Sequence, residues 1–136
     1  MTKMITAVLA LGTLLSTSIY AHHSSAALGT VRLTQPVMAG GKMLQPGTYE
    51  MRDTGEHGMP LPGQSAEAQT YVEFVANGTV MARELAELMP GQATPVGTSG
   101  GSSARPRVEL LKGGDFLRVS TSHGGERYLI HLPVAR

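Results

Sequence analysis

This chain of 136 residues predicts an all-β fold, an antiparallel sandwich or flattened barrel of about seven strands. Three observations carry that expectation. Apolar and polar residues alternate with a period of two over most of the chain after residue 29, the pattern of half-buried strands. Glycine-bearing reversals at Asn77-Gly78, Gly113-Gly114 and Gly124-Gly125 punctuate those runs at hairpin spacing. Cysteine and tryptophan are absent, so no disulfide frame is available and aliphatic burial with backbone pairing must hold the domain.

Residues 1–21 read as a secretory signal. Lys3 supplies a positive n-region, Met4 to Ile19 is uncharged and mostly apolar, and Ile19 and Ala21 sit where a signal peptidase inspects the chain. Cleavage is expected after Ala21, with Ala26 or Ala27 as the alternative. An apolar run of about 16 residues is shorter than the roughly 20 that span a bilayer, so no membrane span is expected after signal removal. The expected location is the periplasm or the exterior. Residues 22–136 then form a single domain of 115 residues. Lys3 is the only charge removed, which leaves 10 basic and 10 acidic residues, spread without runs. That balance argues against a nucleic-acid partner.

In chain order, "TVRLTQPV" places Val31, Leu33 and Val37 on one face, and "GTYEMRD" places Tyr49 and Met51 on one face. "TYVEFVA" is apolar on both faces apart from Glu73, as an inner strand should be. Asn77-Gly78 suits a type I′ hairpin, whose two central residues need positive φ. "ARELAELM", Ala82 to Met89, is rich in helix formers but follows that turn, and a strand is expected there over a helix. "RVELL" and "DFLRVSTS" flank the second reversal, and "ERYLIHLPV" follows the third. Two long connections, 54–68 and 90–106, are rich in Gly, Pro, Ser, Thr and Ala.

The segment "GGKMLQPGTYEMR" is explained by turn stereochemistry, as one turn with two strand arms. Gly40 and Gly41 tolerate positive φ, and "QPG" predicts a type II turn with Gly47 at positive φ, handing the chain into a strand from Thr48 with Leu44 and Tyr49 beneath it. These residues resemble the G-K-x-L-x-P-G-x-Y hairpin of small exported bacterial β-sandwich proteins of mostly uncharacterised function. The resemblance implies a fold and no activity.

If every connection reverses direction, the QPG turn marks one end, the top. The mature N-terminus and the residues around His57 and His123 then gather at the other end, the bottom. Cleavage after Ala21 makes His22 the first residue, whose amine and imidazole can chelate one cation together. Cu(II) favours such nitrogen ligands, and His23, His57 and His123 are the remaining candidate metal ligands. "AHHSS" is similar to the start of exported copper-binding β-sandwiches with an N-terminal histidine. The competing reading is that these are solvated loop and terminal histidines. His131 alternates with core residues and is expected on the surface.

Catalytic patterns are thin. Ser24-Ser25 and Ser102-Ser103 lack a nucleophile-elbow context, and "GGKMLQPG" lacks the ending of a phosphate loop. Glu84 with Glu87, and Asp53 with Glu56, are the carboxylate pairs a glycosidase would need. The expected function is a non-enzymatic binding or interaction domain for a small ligand or protein, without a cofactor. A periplasmic copper-binding protein is the alternative, and a hydrolase comes third.

Overall fold

The computed structural model describes residues 25–90 and 104–136. Within them the chain forms β1 (Ala26–Leu33), β2 (Val37–Ala39), β3 (Lys42–Leu44), β4 (Gly47–His57) and, after a 3-10 turn at Ala66–Ala68, β5 (Gln69–Ala76). β6 (Thr79–Pro90), β7 (Ala104–Leu110), β8 (Phe116–His123) and β9 (Glu126–Pro133) follow. Seven of these strands make one antiparallel sheet in the order β1-β4-β5-β6-β9-β8-β7, curled into a nearly closed barrel, and β2 with β3 forms a separate hairpin. The all-β expectation holds, including the strand over Ala82 to Met89, which is part of β6. Tertiary pairing with β5 on one side overrides the local helix propensity of that segment.

The alternation read from the sequence is the alternation of the barrel wall. Leu28, Val31 and Leu33 of β1, Tyr49 and Met51 of β4, Val72 and Phe74 of β5, and Tyr128, Ile130 and Leu132 of β9 all point inward and are buried. Phe74 fills the centre, with its ring edge-on to Tyr49 at 6.5 Å and 84°. The Tyr49 hydroxyl donates to the Gln45 carbonyl at 2.7 Å, which satisfies its one polar atom at the barrel wall. Asn77 (φ 50°) and Gly78 (φ 75°) form the expected turn between β5 and β6.

Four expectations are corrected. The first strand is Ala26–Leu33 rather than "TVRLTQPV", and Val37 opens β2. Gly40 and Gly41 turn the β2–β3 hairpin, so "GGKML" is not an arm of β4. Gly47 lies at φ 159°, near the extended limit and far from the value of about 80° a type II turn needs. It pairs with Leu33 as the first residue of β4 instead. The connections are also shorter: β4 continues to His57 through a register shift after Asp53, β6 continues to Pro90, and β7 starts at Ala104. Irregular pairing of this kind keeps polar, glycine-bearing residues in a strand.

The hairpin has a structural reason. β6 and β9 pair only from Glu87 to Pro90, although β6 starts at Thr79 and β9 runs to Pro133, so the two strands part toward the top. β2 packs on β9 and bridges Val37 to Val134, while β3 packs on β6. Val37, Ala39 and Leu44 are buried in the gap and join the core. Gly40 seals the contact: its N–H donates to Glu84 Oε2 at 2.8 Å, and a Cβ there would lie 2.1 Å from the Arg83 carbonyl oxygen.

Strand direction follows from the pairing. β1, β5, β9 and β7 run upward, and β4, β6 and β8 run downward. With an odd number of antiparallel strands, the two edges β1 and β7 run the same way where the barrel closes. They approach each other but are not hydrogen-bonded neighbours.

Candidate functional site

His22 and His23 lie outside the described residues. His57 ends β4 and His123 ends β8, both at the bottom, where β1 also begins. Strand order separates the two histidines by β1 and β7 on one side of the barrel and by three strands on the other. His57 is exposed, and its Nδ1 is 2.9 Å from the Gln69 carbonyl oxygen, which leaves Nε2 facing outward. Among the described residues, no group of three His, Asp or Glu side chains is arranged to hold a metal ion. His131 is exposed on β9 opposite Arg118.

The proposed carboxylate pairs are separated by their bonding. Glu84 caps Gly40 and its own neighbour Leu85, and Glu56 is ion-paired to Arg83. Arg83 also lies 4.9 Å from the centre of the Tyr71 ring, so this outer face is a ladder of mutual partners. Asp53 is drawn inward. Its Oδ1 accepts from the Thr70 hydroxyl at 2.6 Å and the Gly55 N–H at 2.9 Å, and its Oδ2 accepts from the Tyr128 hydroxyl at 2.9 Å. That last bond ties β4 to β9 across the lower barrel. Burial, then the Asp53 hydrogen bond, raises the Tyr128 phenol above its ordinary 10.0. Every member of the cluster has a partner, and the arrangement reads as an internal brace.

A concavity lies at the barrel seam. A groove of about 450 Å³ runs between β1, through Leu28, Gly29, Thr30 and Arg32, and β7, through Arg105, Pro106 and Val108. Both strands are irregular here: the register shifts between Ala27 and Gly29 on β1 and between Ala104 and Arg107 on β7. Gly29 sits at φ 112°, and a Cβ on it would lie 2.9 Å from Pro106 Cδ, so the missing side chain lets the two edges touch. Pro106 has no N–H to offer and, as prolines in sheets do, occupies an edge strand. Within the barrel, the Thr121 hydroxyl donates to the Leu28 carbonyl at 3.1 Å and joins β8 to β1 behind the groove.

The charges around the seam divide unevenly. On the neighbouring strand β4, Glu50 is held by Arg52 at 3.1 Å, and that hydrogen bond keeps its carboxyl below the usual range. On β7, Glu109 is held by Arg118 at 2.9 Å with the same effect. Arg32 and Arg105, both exposed, have no ion pair or hydrogen bond among the described residues. The nearby acids are thus already committed, and the two groove arginines are left uncompensated.

Sequence reasoning missed this groove. Its two walls are about 76 residues apart in sequence, and only the odd strand count and the proline inside "RPR" hint at an unpaired edge. No family model, no curated protein and no solved structure matches the chain.

Proposed function

We propose that the chain is an exported, non-enzymatic binding domain whose ligand enters the groove between β1 and β7. One observation supports the reading: a groove of about 450 Å³ with an apolar floor carries two arginines that no acid of the described residues neutralises. Small-ligand sites are usually a few hundred Å³, mostly apolar, with a small number of polar groups that fix orientation. A reaction is not needed to explain the remaining polar groups, since Asp53, Glu56 and Glu84 each bond to the fold itself. Export rests on residues 1–21, and the resemblance of Gly40 to Arg52 to small exported bacterial β-sandwich proteins points the same way.

The test is a thermal-shift screen of small molecules and peptides on the secreted chain beside a Thr30→Trp variant. Thr30 is exposed on the groove wall, so an indole there fills the groove without entering the core. Compounds that raise the melting temperature of the wild type should leave Thr30→Trp unmoved. Compounds that raise both equally bind elsewhere and remove the seam from the reading.

Copper binding through His22 is the second reading. It is favoured by the start of β1 at the same end as His57 and His123. Intact mass of the secreted chain decides whether His22 is the first residue. If it is, Cu(II) titration followed by electron paramagnetic resonance should show a nitrogen-rich site that His22→Ala removes. An unchanged spectrum in His22→Ala rejects the site.

A further inference from the structure

Building on the seam as the binding site, we propose that its ligand is a small organic anion: an oxyanion group held by Arg32 and Arg105, with an apolar body lying on the half-exposed Pro106 and Val108. The charge complementarity is on the surface itself. Two exposed guanidiniums line one groove, and Glu50 on β4 beside it and Glu109 on β7 are already bonded to Arg52 and Arg118. A guanidinium presents a planar fork of donors that matches a carboxylate, sulfate or phosphate edge. Thr30 adds a hydroxyl on the same wall.

An added β-strand is the rival occupant of any exposed edge, and the geometry disfavours it. Pro106 cannot donate to a ladder, both edges carry bulges, and the Gly29–Pro106 contact closes the space a strand needs. Residues 1–24 and 91–103 contain no acid, so neither chain segment outside the described residues supplies the complementary charge.

The experiment uses the secreted chain, uniformly 15N-labelled, titrated with octanoate, with its neutral amide octanamide, and with inorganic sulfate. Octanoate should perturb amides of residues 28–32 and 105–108, octanamide should not, and sulfate should compete with octanoate. Arg32→Gln and Arg105→Gln, at exposed side chains without partners, should keep the wild-type melting temperature and each weaken octanoate binding about tenfold. Equal binding of octanamide, perturbations confined to other surfaces, or unchanged affinity in both variants would overturn the anion assignment. So would the absence of any octanoate response at millimolar concentration. The underlying binding reading is judged separately: a neutral ligand or an extended peptide blocked by Thr30→Trp would keep the seam as a site while removing the anion class, and ligands that bind wild type and Thr30→Trp equally would remove the seam itself.

Discussion

Replacing Tyr128 with phenylalanine tests the internal brace directly. Tyr128 is 3 % exposed, and its hydroxyl donates at 2.9 Å to Asp53 Oδ2, one of three donors to that carboxylate. A hydrogen bond to a charged acceptor contributes about 1.5–3 kcal/mol, and Asp53 is only half-buried, so water offsets part of the loss. The expected destabilisation at pH 7 is about 1.5–2 kcal/mol, or roughly 5–10 °C in melting temperature for a domain of this size. The pH dependence gives a second, sharper readout. Burial raises the folded phenol above its ordinary 10.0, so the unfolded state loses the proton first. The contribution is therefore complete below pH 10 and declines as pH rises above it toward the folded value, by up to about 1.4 kcal/mol per pH unit. Urea unfolding of both proteins from pH 7 to 11 isolates it, because the other tyrosines cancel in the difference. The advantage of the wild type should shrink between pH 10 and 11. A difference that stays constant over that range, or a shift below about 1 °C at pH 7, would refute the brace.

Three further outcomes are expected. Gly40→Ala puts a methyl 2.1 Å from the Arg83 carbonyl oxygen at a φ of 52°, and should cost about 2–4 kcal/mol by lifting the β2–β3 hairpin, seen as a lower urea midpoint. Phe74→Ala empties the centre of the core, since Phe74 is fully buried, and should cost about 3–5 kcal/mol by the same assay. Pro90 and Ala104 end strands that are three strand spacings apart, about 14 Å along the sheet, so residues 91–103 can be replaced by five residues with little change in melting temperature. Direct joining of the two strands should abolish folding, as one peptide unit spans only about 3.8 Å.

The strands and reversals were legible because their signals are local. A period of two from Tyr128 to Leu132, or positive φ at Asn77-Gly78, needs only neighbouring residues, and the end of the molecule on which His57 and His123 lie then follows by counting reversals. What escaped depends on distance in sequence. The Tyr128–Asp53 bond joins residues 75 apart, and the separate β2–β3 hairpin exists because β6 and β9 stop pairing after four residues. Gly47 departs from the type II expectation because Pro46-Gly47 fits two geometries, and pairing with Leu33 selects the extended one. Bulges hide in the same way: register shifts after Ala27 and Asp53 change which residues face the barrel without altering local composition.

The groove itself follows from parity. Seven antiparallel strands bring β1 and β7 to the seam pointing the same way, so closing the wall would require a parallel ladder in a sheet otherwise antiparallel. Pro106 removes a donor from that ladder and the two bulges remove its register, and the edges come together where the Pro106 ring packs against Gly29. Exposed edges invite pairing with other chains, and proline, bulges and charge are the usual defences. Defence alone accounts for Pro106 and for a cationic edge. It does not require the acids beside that edge to be paired with other arginines, nor an apolar floor to remain open between the two that are free. That residual charge is what distinguishes a protected edge from a binding groove. The Arg32→Gln and Arg105→Gln pair separates the two roles: loss of octanoate binding at unchanged solubility assigns the arginines to a ligand, whereas self-association of the variants with unchanged binding assigns them to edge protection.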